Sequence, residues 1–236
     1  MQKKRNKFIY WKWKTKNFIA QHPWLFYPIM KLRYWYATGE PNEGEPTLLQ
    51  LVNKNTQLVI EGFPRSANTF AVFALQYAQP FPVKIAYHFH APAQVFRAIH
   101  LGIPTLVVIR NPRDSVASFV ARWSEVSESQ ALELYISFYK SIKKYKPNYV
   151  VGEFQEITQN YSNIIQRINN RFSTKFVPFT DSLEDQEKVL KKIKKDRSSF
   201  SAQNDILKQK ILKNLSMKKN QLLLAEAEKI YQELLE

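Results

Sequence analysis

Two short segments concentrate the side chains that could hold and transfer a charged group. Residues 61–70 read EGFPRSANTF and residues 110–118 read RNPRDSVAS. In the first, Arg65 brings a cation, Ser66 and Thr69 bring hydroxyl donors, and Gly62 permits a tight backbone turn. In the second, Arg110 can grip a phosphate or sulfate through two parallel N–H bonds. Asp114 stands where a helix N-cap would fall, and Ser118 lies one turn beyond it, so its hydroxyl can return to the same anion. Between the two segments, residues 87–94 read YHFHAPAQ. An imidazole suits proton abstraction near neutral pH, so His88 and His90 are candidate bases. Their spacing also fits one face of an extended segment and hence a metal, but no third ligand lies nearby, and no metal is expected. His22 and His100, the other two histidines, read as structural.

These groups work together only if the fold brings three loops to one place. Short apolar runs at residues 57–61, 83–87, 105–109 and 148–154 read as strands. Helical segments are expected at 69–79, 91–101 (Pro92 in the first turn, Gly102 as stop), 115–123 and 158–172. Ser127 and Gln130 form a capping box for a helix running to about residue 146. The tail from residue 183 reads as helical, with breaks near 197–204 and 215–217. Short apolar strands alternating with helices predict an α/β fold, a three-layer sandwich around a central parallel sheet. Such sheets bind ligands at the carboxyl ends of their strands, where residues 62–69, 88–92 and 110–118 fall. A turn from strand into helix also aims free N–H groups and a positive dipole end at one anion.

Pro64-Arg65-Ser66-Ala67-Asn68-Thr69-Phe70 and Arg110-Asn111-Pro112-Arg113-Asp114 through Ser118 together resemble the two nucleotide motifs of the sulfotransferases that use 3′-phosphoadenosine 5′-phosphosulfate (PAPS). The first matches the family's phosphosulfate loop except for Ala67, where the family has Gly. The second fills every fixed position of its 3′-phosphate motif. The resemblance spans residues 57–175 and points to a compact, bacterial-type member with a P-loop-like phosphosulfate-binding loop. It implies that residues 65–70 (Arg65, Ser66, Ala67, Asn68, Thr69 and Phe70) cradle the phosphosulfate and that Arg110 and Ser118 hold the 3′-phosphate. His90-Ala91-Pro92 aligns with the family's His-x-Pro, which makes His90 the general base. His88 falls where cytosolic members carry a catalytic Lys; it would orient the sulfuryl group or be the base itself. Arg65 would stabilise the transferring group. The cytosolic members' Gly-containing lid is missing, since no Gly follows residue 152. Arg197, in the break of the tail, is a candidate second 3′-phosphate contact, with an ordinary polar loop as the alternative.

The implied reaction moves a sulfuryl group from PAPS to a hydroxyl or amine, releasing PAP without a metal. His90 follows Thr69 by only 21 positions, which suggests an open site and a large acceptor, a glycan or a lipid. The first rival is a P-loop kinase-like phosphotransferase. It lacks support because Ala67-Asn68-Thr69 stands where Gly-Lys-Ser/Thr would hold nucleotide and Mg²⁺. The second rival is a non-enzymatic basic module that binds membrane or nucleic acid.

The charge distribution bears on that second rival. The chain has 236 residues, no cysteine and a formal charge of +15. Residues 1–39 hold nine Lys/Arg and no acid, residues 40–187 hold fourteen of each sign, and residues 188–219 hold eleven basic and two acidic. The chemistry-bearing loops therefore lie in the neutral part, and no nucleic-acid partner is expected. Zero cysteine excludes disulfides, a thiol nucleophile and thiolate metal sites. Residues 1–38 read as a basic aromatic helical arm and 39–236 as one domain, with a loop at 39–48. The arm interleaves Lys with Trp, Tyr and Phe, a composition that suits peripheral membrane contact through residues 1–36 or packing on the domain. No apolar run is long enough for a membrane span, and Lys12, Lys14 and Lys16 interrupt any signal sequence, so the expected location is cytoplasmic, with membrane association open.

Overall fold

In the computed structural model the described residues are 7–38, 51–196 and 203–236. Arg197, residues 1–6 and the loop at 39–48 lie outside them.

The four apolar runs form β1 (Leu58–Gly62), β2 (Ile85–Tyr87), β3 (Thr105–Ile109) and β4 (Val150–Glu153). They pair in parallel in the order β2-β1-β3-β4. β1 and β3 are fully buried along their whole length, which explains why both are continuous apolar runs rather than alternating ones. From β1 the chain crosses to β2 on one side, and it then returns to β3 on the other. The boundary between β1 and β3 is therefore the topological switch point, and the loops following both strands open there.

Strand parity sorts the core into layers. Leu58, Ile60, Leu106, Val108 and Val150 face one layer made by α3 (Asn68–Ala78), α7 (Phe154–Gln159), α8 (Tyr161–Phe172) and α9 (Leu183–Asp196). Val59, Ala86, Val107 and Ile109 face the other layer. That layer holds α4 (Pro92–His100), α5 (Pro112–Arg122), α6 (Glu128–Lys143), α10 (Gln203–Leu215) and α11 (Lys218–Leu235). The fold is the expected α/β sandwich with a central parallel sheet.

Two boundaries differ from expectation, each for a local reason. The N-cap of α5 is Asn111, whose side chain accepts from the Arg113 N–H at 3.0 Å. Pro112, which lacks an N–H, takes the first helical position, so Asp114 sits inside the first turn. The helix expected at 158–172 is two helices. Glu153 caps α7 directly at the end of β4, accepting from Gln155 N–H, and Asn160 separates α7 from α8. The capping box at Ser127 and Gln130 forms as read, and Gly102 follows α4 at φ 66°.

The arm is a pair of helices, α1 (Lys7–Gln21) and α2 (Pro23–Thr38). One face of α1 docks on the domain. The Trp13 ring lies edge-on to Phe119 at 5.2 Å and to Trp123 at 5.6 Å, and Asn17 and Gln21 both donate to the Ser137 hydroxyl. In α2, Phe26 and Tyr27 are buried, and the Tyr27 hydroxyl donates to Gln94 Oε1 at 2.7 Å. The opposite face stays in solvent, with Trp11 60% and Trp24 70% exposed. No described helix is long and apolar enough to cross a membrane.

This division predicts unequal effects of removing two tryptophans from one helix. Trp13→Ala should cost ~2 kcal/mol in urea unfolding and Trp11→Ala less than ~1 kcal/mol. Equal costs would contradict the docked orientation of α1.

Candidate active site

The site is built outward from Gly62. A Cβ there would stand 2.1 Å from the Val108 carbonyl oxygen, so the end of β1 can pair with β3 only if this residue is glycine. Tyr139 of α6 locks the same junction. Its hydroxyl accepts from the Phe63 N–H at 3.1 Å and donates to Val108 O at 2.8 Å. One turn earlier, the Tyr135 hydroxyl donates to the Arg110 carbonyl at 2.9 Å. Two tyrosines four residues apart on one helix thus hold the loop after β1 and the loop after β3 in fixed relation.

Beyond Gly62 the chain bends sharply. Arg65 has φ 72° and Ala67 φ 70°, while His88 has φ 75° and His90 φ 51°. Four of the six described non-glycine residues with positive φ therefore lie in the loops after β1 and β2. Left-handed backbone costs ~1–2 kcal/mol per residue, and such strain clusters at functional sites. Ala67 is the N-cap of α3 and has no side-chain oxygen to offer the first N–H groups of the helix. Its left-handed conformation is one that glycine adopts without a Cβ penalty.

Arg65, Arg110 and Ser118 are linked by hydrogen bonds. Arg110 Nη1 donates to the Arg65 carbonyl at 3.1 Å, and Arg65 Nε donates to the Ser118 hydroxyl at 3.0 Å. The Arg110 guanidinium lies 3.9 Å above the Phe154 ring, while its Nε is buried without a hydrogen-bond partner. Neither guanidinium forms an ion pair within 4.0 Å among the described residues. Burial, then the neighbouring Arg110 and Arg122, lower the Arg65 pKa; burial also lowers that of Arg110, against the attraction of Asp114 and Glu153. Two desolvated like charges with spare donors are an arrangement that could hold an anion.

The remaining loop residues take different places. Ser66 is fully buried beside the Tyr139 phenol. Asn68 is buried and donates from its amide to Phe63 O at 3.1 Å. Thr69 is half-buried at the start of α3. The Phe70 ring packs into the core, edge-on to Phe179 at 6.2 Å.

The histidine loop folds back onto the same junction. His90 Nδ1 lies 2.8 Å from the Gly62 carbonyl, which can only accept, so Nδ1 carries the proton. In the neutral ring the Nε2 lone pair is then the basic one. The His88 ring stands 5.2 Å from that of His90. Among the described residues no group of three His, Asp or Glu gathers as for a metal ion.

Glu61, Tyr135, Tyr139 and Phe154 belong to this site without having been singled out as site residues in the sequence. The two tyrosines had a signal, their i, i+4 spacing in a well-capped helix. Glu61 had none, because a carboxylate at the end of an apolar strand usually marks its exit to solvent. Here Glu61 is fully buried under the histidine loop and accepts from the Phe89 N–H at 3.1 Å. Burial pushes its pKa up to about 8, while backbone amides of the loop, Phe89 first, pull the other way.

The chain matches the solved structure of a mouse sulfotransferase, SULT7A1, complexed with PAP, at 11% identity over 75% of this chain and 84% of that one, with a TM-score of 0.44. No family model matches the chain, and no curated protein matches it by sequence.

The raised pKa of Glu61 has a testable consequence. The folded chain holds this proton more tightly than the unfolded chain, whose carboxyl titrates near 4.5. The stability that it contributes is fully present below pH ~4, declines as pH rises, and is lost through pH ~8. In urea unfolding, Glu61→Gln should therefore gain on the parent chain by more than ~1 kcal/mol between pH 5 and pH 9. A difference that stays constant across that range would show that Glu61 is ionised in the folded state throughout.

Proposed function

We propose that the protein is a PAPS-dependent sulfotransferase that moves a sulfuryl group to a hydroxyl of an acceptor. The observation that carries this reading is the convergence of two spare guanidiniums and a tautomer-defined imidazole at one switch point. The two cations lie on different loops, as a donor with two separated phosphate groups requires. The orphaned Arg110 Nε and the Ser118 hydroxyl fit the 3′-phosphate. Residues 65–69 with the start of α3 fit the phosphosulfate, whose bridging oxygen gains charge as the sulfuryl group departs.

In this mechanism the chain binds, orients and moves one proton. Arg65 neutralises charge at the phosphosulfate while the 62–68 turn presents backbone N–H groups to it. Arg110, stacked on Phe154, keeps the 3′-phosphate at a fixed place. His90 Nε2 takes the acceptor's hydroxyl proton; the Gly62 carbonyl holds Nδ1–H and stabilises the imidazolium that results. His88, beside it, orients the transferring group. Phe70, inside the core, contributes through the position of α3. The acceptor is a hydroxyl compound of the glycan or lipid class. Cytoplasmic location is part of the same reading.

PAP should raise the melting temperature of the chain, whereas ATP with Mg²⁺ should not. Arg110→Ala should weaken PAP binding by about tenfold to hundredfold, as expected for a charge-assisted contact. His90→Ala should abolish sulfate transfer from radiolabelled PAPS and leave PAP affinity unchanged in calorimetry. No PAP-dependent shift, or a shift with ATP instead, would overturn the donor assignment.

A further inference from the structure

We infer that the outer face of the α1–α2 arm is a docking surface for an anionic lipid bilayer. Helical geometry and the contacts of α1 separate its faces cleanly. Trp13, Asn17 and Gln21 point into the domain, while Trp11 and Phe18, seven residues apart, point away from it at 60% and 54% exposure. The aromatic line continues through the bend between the helices. The Phe18 ring lies 4.3 Å from His22, and His22 lies 6.4 Å from Trp24, which is 70% exposed. On α2 the exposed side chains extend to Leu32.

A folded chain that needed these residues only for packing would bury them, as it buries Phe26 and Tyr27 on the same helix. Large rings left in water beside lysines match the level of lipid headgroups, where an amphipathic ring and a basic side chain both gain. Charge selects the bilayer's sign. Residues 1–39 hold nine Lys/Arg and no acid, so a surface rich in acidic headgroups is complementary and a zwitterionic one is not. A second copy of the chain would bring the same positive arm against itself, which like-charge repulsion opposes.

The arm's place in the fold links this surface to the site. Phe26 packs edge-on against Phe89 at 5.4 Å, and Phe89 lies between His88 and His90. A docked arm therefore holds the histidine loop next to the bilayer. The docking inference does not depend on the sulfotransferase reading.

The test uses the full chain and vesicles of phosphatidylcholine with or without 30 mol% phosphatidylglycerol. The chain should sediment with the mixed vesicles, release as salt rises, and show a blue-shifted tryptophan emission. The variant W11S/F18S/W24S should bind at least tenfold more weakly, and its thermal shift with PAP, measured on the same preparation, should match that of the parent. Failure of the parent chain to bind mixed vesicles, equal binding of the variant, or dimerisation of the free chain that blocks vesicle binding would each overturn the inference. Vesicle binding without any PAP shift would leave docking in place and remove the enzyme reading; a PAP shift without vesicle binding would do the reverse.

Discussion

The close approach of β1 to β3 at Gly62 and Val108 is the constraint on which the site rests. A backbone that passes within 2.1 Å of where a Cβ would be admits one residue type, and that residue sits where the first loop begins. Its carbonyl then serves a second purpose by fixing the tautomer of His90. The Tyr139 hydroxyl satisfies the Phe63 N–H and the Val108 carbonyl, so these two backbone groups stay paired in the interior. The strained residues around it, Arg65, Ala67, His88 and His90, are held by this junction rather than by their own preferences.

Electrostatically the site is expensive. Two guanidiniums are desolvated near each other, and a carboxyl is buried under the histidine loop. A chain selected for stability alone would not keep these groups together. Under the proposed function the two cations gain a counter-charge from the donor's phosphate groups, which offsets the cost of burying them. The loops that carry these groups lie in a neutral stretch of the chain, and the surplus cations lie toward its ends.

The arm shows how a pair of helices divides one composition between two faces. Its aromatic and basic residues suited either packing or a membrane surface, and the fold divides them by face. Trp13, Phe26 and Tyr27 are structural, whereas Trp11, Phe18 and Trp24 are presented outward. Sequence alone could not make this division, since it depends on where Phe119, Trp123 and Gln94 lie in the folded domain.

Much of the sheet was legible in advance because its strands are buried on both faces and therefore read as apolar runs; β3 falls where it was expected, at Thr105–Ile109. The sequence also singled out Arg65, Arg110, Ser118 and His90, and the structure links the first three by hydrogen bonds and sets His90 against the Gly62 carbonyl. Local capping was less secure: Asn111 and Asp114 are both competent caps, and Pro112 decided between them by taking the first helical position. Glu61, Tyr135, Tyr139 and Phe154 stayed hidden because their roles come from contacts between elements far apart in the chain. By itself, then, the sequence determined the fold class and which residue types the strand-end loops carry, since both depend on local pattern. Only the tertiary structure decided which carboxyl is buried, which imidazole nitrogen is basic and which tryptophans face solvent, since burial and orientation are set by neighbours that distant segments supply.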